Sequence, residues 1–219
     1  MKALLDLLFP PKCAFCGALL PRENDGVCAR CRKELPRTSP KDRRVTFVKS
    51  VTAPFYYEGE VRRSLLAYKF RALSARGRVY GRLVGEELLA RGVEFDLLSW
   101  VPLSRRRLRR RGYDQARLIA EGAAEKLGMT VTPLLCKSRD VPPQSRIRTA
   151  EGRRANISGC YQVPEPASVR DKRILLVDDI ITTGSTVSEC ARMLMLAGAR
   201  EVLAASVAIH RDDTDGKID

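Results

Sequence analysis

Residues 174–186 place two carboxylates and a hydroxyl-rich loop directly after an apolar run. The β-branched and aliphatic residues from Ile174 to Val177 predict a buried strand, and Asp178 and Asp179 follow it. Carboxylates at the carboxyl end of such a strand lie where open α/β sheets bind ligands. The loop that follows can direct backbone N–H groups and hydroxyls toward a phosphate at the start of the next helix. The pattern predicts a site for a phosphate with neighbouring hydroxyls, such as a phosphorylated ribose.

The complete string from Val177 to Thr186 is more specific than its acid pair, which alone is equally consistent with a simple strand end. The string resembles the phosphoribosyl pyrophosphate signature of type I phosphoribosyltransferases. That resemblance implies that Asp178 and Asp179 hold the 2- and 3-hydroxyls of the ribose. The loop residues that it assigns to the 5-phosphate are Thr182, Thr183, Gly184, Ser185 and Thr186. Purine-salvage members carry an Asp where this chain has Thr182, which argues against purine-salvage chemistry.

Four of the seven cysteines form two C-x-x-C pairs near the amino terminus. Two such knuckles supply four thiolates, and closed tetrahedral coordination by four cysteines is typical of structural zinc. The alternative is a redox dithiol, which needs one C-x-x-C at a helix start rather than two in tandem. The predicted zinc ligands are Cys13, Cys16, Cys28 and Cys31. The single cysteines are predicted to be small core residues, namely Cys136, Cys160 and Cys190.

The net charge of +14 on 219 residues favours an anionic partner such as a polyphosphate, a nucleic acid or an acidic surface. A solvated basic surface without a partner is the alternative. No apolar run is long enough to span a bilayer, so no membrane insertion is expected. The short run from Leu4 to Phe9 contains Asp6 and lacks a small-residue cleavage site, so it is not predicted to be a secretory signal. We therefore expect a cytoplasmic protein.

Six of the seven residues from Arg105 to Arg111 are arginines. Guanidinium groups bind phosphates in a bidentate manner, so this arginine block suits either pyrophosphate or a nucleic-acid backbone. The alternatives are a solvated basic helix face and, less compatible with an α/β domain, a nuclear localisation run. The field of so many like charges nevertheless favours a specific anion.

The arginine block, with the flanking Pro102 and the segment Gly112–Ala116, resembles the ComF family of competence-associated proteins. Matches elsewhere along the chain are Tyr68-Lys69, Pro143-Gln144, Arg154-Ala-Asn156, Gly159, the terminal signature and the paired cysteine knuckles. The chain departs from many members at Ser104, where they carry His, and at Asp114, where they carry Asn. The resemblance implies a role in natural transformation, with handling of single-stranded DNA and contacts to other competence proteins.

The same resemblance assigns roles to the residues around the arginine block. In type I phosphoribosyltransferases the loop after this strand grips the pyrophosphate, which points to Leu103, Ser104 and Arg105. The arginines then left to bind single-stranded DNA are Arg106, Arg107, Arg109, Arg110 and Arg111. Lys69 is either a further pyrophosphate contact or an exposed structural lysine. Mg²⁺ is expected to accompany the pyrophosphate.

Two functions remain open from the sequence. One is a protein that binds phosphoribosyl pyrophosphate and DNA, and the other is an active phosphoribosyltransferase that acts on an unidentified amine or base. No residue stands out as a general base, and the only histidine, His210, is expected at the surface after the last strand.

The pattern of elements predicts an α/β fold of the type I phosphoribosyltransferase class, with a parallel sheet covered by helices. We expect a zinc ribbon over residues 1–40 and a phosphoribosyltransferase-like domain over residues 41–219. The predicted strands are one or two in 45–57 and single strands at 96–103, 131–135, 174–177 and 202–209. The predicted helices cover 61–70, 81–91, 113–127 and 186–197. Residues 36–44 are expected to be a linker, 137–159 a lid loop and 212–219 a frayed tail.

Overall fold

Strands and helices alternate along the chain in the computed structural model, which describes residues 10–39, 44–71, 73–139 and 157–211. The helices are α1 Ala29–Glu34, α2 Gly59–Phe70, α3 Arg76–Ala90, α4 Arg105–Arg111, α5 Gln115–Leu127 and α6 Ser185–Leu196. The strands are β1 Val51–Thr52, β2 Phe55–Tyr56, β3 Leu97–Trp100, β4 Cys136–Lys137, β5 Tyr161–Gln162, β6 Arg173–Ile181 and β7 Glu201–Ile209. Most of the predicted lid and the whole predicted tail lie outside the described residues.

A parallel sheet forms the centre of the fold, with the strand order β1-β7-β6-β3 and with β2 also paired to β7. Leu97 lies opposite Ile174, and Ile174 lies opposite Val202, so the three long strands share one register. Parallel strands covered on both faces need apolar side chains on both faces. The nearly unbroken apolar runs of β6 and β7 meet that need, and the α/β prediction is confirmed.

Each face of the sheet carries its own hydrophobic core, because successive side chains of a strand point to opposite faces. Leu175 and Val177 of β6 pack on the face covered by α2, α3 and α5. Ile174 and Leu176 pack on the other face, against α6 and the small antiparallel β4–β5 hairpin. The strand β6 therefore passes between two helical layers before it reaches its acid pair.

The cysteine region packs on the first of these cores. The ring of Phe15 lies 5.4 Å from that of Phe55 and 5.5 Å from that of Tyr80, measured between centroids. The hydroxyl of Ser64 on α2 donates a hydrogen bond to the carbonyl of Ala14. The knuckles are thus joined to the sheet domain by a buried contact, and the division near residue 40 remains a prediction.

Several elements differ from the sequence prediction, and three of the differences affect the site. The strand expected at 131–135 is reduced to a single bridge between Val131 and Leu98, because Pro133 has no N–H to continue the ladder. The arginine block forms the helix α4. The strand expected to end at Val177 continues through both acids to Ile181, because its pairing with β7 continues to Ile209.

The core prediction for the single cysteines is correct for two of them. Cys160 and Cys190 are buried, whereas Cys136 is exposed on the short strand β4. In the described part of the chain, no helix is both long and apolar enough to cross a membrane.

Candidate ligand site at the carboxyl end of the sheet

The two acids of β6 point to opposite faces of the sheet. The side chain of Asp179 lies on the α2 side, where its Oδ2 is 2.9 Å from Nζ of Lys69. Asp178 lies on the α6 side, and its Oδ1 accepts a hydrogen bond of 2.7 Å from the backbone N–H of Asp179. Lys69 is therefore a half-buried partner of Asp179 rather than an exposed structural lysine.

An open pocket lies where β6 ends and α6 begins. It has about 270 Å³ of space, part of it open to solvent. The residues that line it are Asp178, Ile180, Ile181, Thr182, Thr183, Gly184, Ser185, Thr186 and Val187. The structure thus brings Asp178 together with all five predicted phosphate-loop residues, whereas Asp179 lies one residue along the strand, outside this lining.

The loop reaches α6 without a side-chain cap. Gly184 is the N-cap residue, with φ of 75°, and it has no side chain that could cap the first turn. The N–H of Ser185 donates one long hydrogen bond, of 3.5 Å, to Oγ1 of Thr183 in the loop. The leading N–H groups of a helix have no partner within the helix, so here they are available to an anion. A Cβ at Gly184 would lie 2.7 Å from Cγ2 of Val45, so both the backbone angle and the packing require glycine. The hydroxyls of Thr183 and Ser185 lie 2.9 Å apart beside these amides.

The carboxyl group of Asp178 is enclosed, although the residue keeps some exposed surface. Burial is the main cause that raises its pKa above the ordinary aspartate value, and the negative charge of Asp179 adds to the effect. The ammonium of Lys69 opposes this shift. Asp178 therefore holds its proton more readily than an ordinary aspartate does.

Sequence reasoning missed a group of residues on the α6 side of Asp178. Lys137 on β4 donates a hydrogen bond of 3.1 Å from Nζ to the hydroxyl of Tyr161 on β5. Burial, followed by the positive charge of Arg107, lowers the pKa of Lys137. Burial, followed by the charge of Asp178, raises the pKa of the Cys190 thiol. No local signal marks these residues, because β4 and β5 are separated by the long loop.

The predicted pyrophosphate residues follow β3 at the same edge of the sheet. The N–H of Leu103 donates a hydrogen bond of 2.9 Å to Oδ2 of Asp114, and the buried Ser104 accepts one of 3.4 Å from the N–H of Arg107. Arg105 is exposed at the start of α4. Burial is the largest influence on Asp114 and raises its pKa, while its amide donors lower it. This loop is internally hydrogen-bonded rather than open.

The helix α4 buries none of its residues. Its arginines differ in their surroundings: Arg111 donates a hydrogen bond of 2.7 Å to Oε1 of Gln115, and its guanidinium carbon lies 5.5 Å from the ring centroid of Phe70. Arg107 is half-buried, and its positive charge contributes to the lowered pKa of Lys137. The exposed members are Arg105, Arg106, Arg109 and Arg110.

The four amino-terminal cysteines converge on one point, with all four sulfur atoms within 4.8 Å of one another. The Sγ atoms of Cys16 and Cys28 are 3.7 Å apart. Four sulfurs at about 2.3 Å from a zinc ion would be roughly 3.8 Å apart, so the group fits tetrahedral zinc. Burial opposes ionisation of Cys13, but amide hydrogen bonds, first from Cys28, outweigh it and lower the pKa of Cys13 to about 7. A thiolate favoured in this way suits a metal ligand.

The only histidine follows β7 at the same edge of the sheet, where its backbone N–H donates a hydrogen bond of 3.2 Å to the carbonyl of Ile181. His210 is exposed immediately after β7, with its ring 5.4 Å from that of Tyr57, as predicted for a surface residue.

Comparison with known proteins places both regions in characterised families. A family model described as a double zinc ribbon domain matches residues 4–43, and one described as a phosphoribosyl transferase domain matches residues 118–218. The matched ribbon contains four cysteines and no histidine, which is enough for one four-sulfur site. The structural zinc prediction is supported by this match and by the sulfur geometry.

Curated relatives align over most of the chain. The DNA utilization protein YhgH of Salmonella typhimurium is 30% identical over 199 residues, which covers 87% of this chain and 80% of the relative. The competence protein ComFC of Streptococcus pneumoniae is 27% identical over 194 residues, or 87% and 84% of the two chains.

Among solved structures, glutamine phosphoribosylpyrophosphate amidotransferase from B. subtilis is 28% identical over 60% of this chain and 25% of its own, with a TM-score of 0.41. The fold assignment does not depend on that partial overlap, since the parallel sheet and the family match support it directly. With the relatives spanning both the ribbon and the sheet, this chain belongs to the ComF family of type I phosphoribosyltransferase-like proteins.

Proposed function

We propose that the chain binds phosphoribosyl pyrophosphate with Mg²⁺ and also binds single-stranded DNA, as part of DNA uptake in natural transformation. The observation that carries the proposal is the uncapped amino terminus of α6, which opens into the same pocket as Asp178. Backbone amides at a helix start favour a phosphate, and a carboxylate close by favours sugar hydroxyls. Few ligands other than a phosphorylated sugar use both groups.

In the proposed complex, the 5-phosphate lies on the loop from Thr182 to Thr186. Asp178 accepts hydrogen bonds from the ribose hydroxyls, and Asp179 joins it when its contact with Lys69 loosens. The ammonium of Lys69 then remains close to the negatively charged ligand. The pyrophosphate is assigned to Leu103, Ser104 and Arg105, where the guanidinium of Arg105 would supply the positive charge.

Mg²⁺ is the cation that this site would accept with its ligand. The polar side chains that line the pocket are the carboxylate of Asp178 and the hydroxyls of the loop, and oxygen atoms are the ligands that Mg²⁺ prefers. Asp178 and Asp179 are the residues placed to hold it, directly or through water. When bound, the ion neutralises charge on the pyrophosphate.

The DNA-binding part of the proposal is supported by the exposed arginines of α4 and by relatives named for DNA utilization and competence. Contacts between arginines and phosphates release counterions, so the DNA affinity should fall as salt rises. Arg106, Arg109 and Arg110 are the best placed for this role, because Arg107 and Arg111 already contact groups within the protein.

The alternative is an active phosphoribosyltransferase that uses an amine or base acceptor. One observation favours it: Asp178 lines the pocket and has a raised pKa, so it is a carboxyl group able to exchange a proton near neutral pH. Isotope release from labelled phosphoribosyl pyrophosphate, with and without candidate acceptors, separates turnover from binding alone.

The principal test is calorimetric titration with phosphoribosyl pyrophosphate and Mg²⁺, together with a separate DNA-binding assay. Replacement of Asp178 and Asp179 with Ala should abolish sugar-phosphate binding and leave DNA binding largely intact. Replacement of Arg106, Arg109 and Arg110 with Ala should do the reverse. Glu125→Ala, at an exposed position on α5, is the control for the loss of a carboxylate. Equal loss of both activities in both variants would contradict the assignment of two separate sites.

A further inference from the structure

Phe70 presents an exposed aromatic ring at the carboxyl end of α2. Its relative exposure is 65%, whereas Tyr68, two residues earlier, is fully buried. A single exposed apolar side chain is ordinary by itself. The ring of Phe70 is unusual because one side is already occupied by the guanidinium of Arg111, 5.5 Å from its centroid, and because it lies beside the arginine helix α4.

Contacts of α2 with the turn after α4, and of α4 with the start of α5, hold this pair in place. The hydroxyl of Tyr113 donates a hydrogen bond to the carbonyl of Tyr68, and the two rings lie 5.5 Å apart. Arg111 is fixed in turn by its hydrogen bond to Gln115, which is 1% exposed. An ordered ring loses little conformational entropy when a second flat group stacks on it.

The exposed arginines of α4 favour an anionic partner. Within the described residues, no carboxylate forms an ion pair with Arg105, Arg106, Arg109 or Arg110. Like charges one turn apart destabilise a helix, and α4 buries no side chain that would compensate. A phosphate backbone that lies along α4 would relieve this repulsion. Arginine-rich surfaces beside an aromatic ring are typical of sites for single strands, whose bases have free faces, whereas a duplex hides them.

We propose that Phe70, backed by Arg111, is a base-stacking position for single-stranded DNA whose phosphates lie on the exposed arginines of α4. This inference rests on the proposed DNA-binding function and adds the contact that distinguishes a single strand from other polyanions. Lys69, the residue before Phe70, contacts Asp179. The stacked base therefore lies at the edge of the sugar-phosphate site.

The test compares two fluorescent oligonucleotides of equal length, one of thymidine and one of abasic sugar-phosphate, by anisotropy at fixed salt. The wild-type protein should bind the thymidine strand more tightly. Phe70→Ala should weaken thymidine binding by roughly 5- to 100-fold, the range for loss of one stacked base, and leave abasic binding unchanged. Phe70→Trp should retain the preference for bases.

Two controls separate stacking from other effects. Leu196→Ala removes another exposed apolar side chain, on α6, with 70% exposure, and should change neither affinity. Arg109→Ala with Arg110→Ala should weaken binding of both strands by a similar factor. Because Phe70 is largely exposed, its variant should unfold at the wild-type temperature, which thermal denaturation checks.

The outcomes distinguish the inference from the function on which it rests. Thymidine binding by Phe70→Ala at the wild-type level, or equal binding of both strands by the wild-type protein, would overturn the stacking position and leave DNA binding standing. Failure of the wild-type protein to bind either strand would overturn the DNA-binding function itself.

Discussion

The helices α6 and α4 both begin at the carboxyl edge of the sheet, after the neighbouring strands β6 and β3, yet their amino termini differ. At α6 the N-cap is Gly184, which has no side chain, and the first turn opens into a pocket with only one long hydrogen bond, of 3.5 Å, from the N–H of Ser185 to Oγ1 of Thr183. At α4 the hydroxyl of Ser104 accepts the N–H of Arg107, and Asp114 accepts the N–H of Leu103. A helix start at the ligand edge is therefore available to an anion only where the chain leaves its amides unpaired.

The difference also shows how each helix can attract phosphate. The loop before α6 offers backbone amides and hydroxyls in a pocket, which suits one compact group. The helix α4 offers flexible guanidinium groups on its surface, which suit an extended chain of phosphates. One edge of the sheet thus carries two kinds of anion site, and the proposed division between sugar phosphate and DNA follows this difference.

The largest expected effect comes from Gly184→Ala, which would close the open helix start. The substituted residue must adopt a positive φ and its Cβ meets Val45, so the loop has to shift. Loss of two charge-assisted hydrogen bonds to a phosphate, at about 1.5–3 kcal/mol each, predicts at least about 100-fold weaker binding by calorimetry. Gly128→Ala is the matched control, since Gly128 also has a positive φ (66°) but nothing within 4 Å of the added Cβ. Unchanged binding in Gly184→Ala would show that the start of α6 does not bind the phosphate, and the contrast with α4 would then lose its meaning.

The second prediction concerns pH and the raised pKa of Asp178. A protonated carboxyl accepts sugar hydroxyls less well, so affinity for phosphoribosyl pyrophosphate should rise by up to about tenfold per pH unit as Asp178 ionises. Asp178→Asn should remove this slope, and comparison of the two proteins subtracts the titration of the ligand. An identical slope in both would exclude Asp178 as the group that titrates.

The same shift makes a prediction for the protein without ligand. Because the folded-state pKa of Asp178 is raised, its contribution to stability is present below the unfolded value, about 4, and is lost as pH rises through the folded value. As pH rises from the unfolded-state pKa to the folded-state pKa of Asp178, the free energy of unfolding of the wild-type protein should fall relative to that of Asp178→Asn. Urea denaturation at several pH values measures the difference.

A smaller effect on ligand binding is expected from Asp114→Asn, which would open the loop at the start of α4. The amide oxygen can still cap α5 at the N–H of Arg117, but the NH₂ group that replaces Oδ2 cannot accept the N–H of Leu103. One freed amide, at about 0.5–1.5 kcal/mol, predicts roughly two- to tenfold tighter binding of inorganic pyrophosphate in the presence of Mg²⁺. Weaker binding would mean that Asp114 orders this loop for its ligand rather than closing it.

The smallest effect is expected for Ser104→Ala, which removes the cap of α4. Loss of an N-cap costs about 1 kcal/mol, or about a fivefold increase in local opening. Because α4 buries no residue, this cost should appear as faster amide exchange confined to α4, with global unfolding nearly unchanged. Exchange that is faster throughout the molecule would show that α4 stabilises the whole fold.

Motifs with a local geometry were predictable from the sequence. Each C-x-x-C turn positions its own two sulfurs, and the four sulfurs do converge. The segment from Ile174 to Thr186 predicted a strand, a loop and the start of a helix, and all three are present. Element limits were less accurate, because the length of β6 depends on how far β7 continues beside it, and the predicted strand at 131–135 was ended by Pro133.

Partners from distant parts of the chain were not predictable. Lys137 and Tyr161 are 24 residues apart in sequence and meet only because β4 pairs with β5. Leu103 and Asp114 were both noted in sequence, but their hydrogen bond depends on how α4 and α5 turn back on each other. The exposure of Cys136 likewise follows from its place on a two-stranded hairpin.

The sequence by itself determined which groups this protein has for chemistry: four thiolates in two knuckles, two adjacent carboxylates before a hydroxyl-rich turn, and a block of arginines. Backbone geometry within a few residues encodes such motifs. Only the tertiary structure decided which of these groups are open and which are paired, such as Asp179 with Lys69. Packing settles that question, because the order of strands in the sheet brings side chains together that are far apart in the chain.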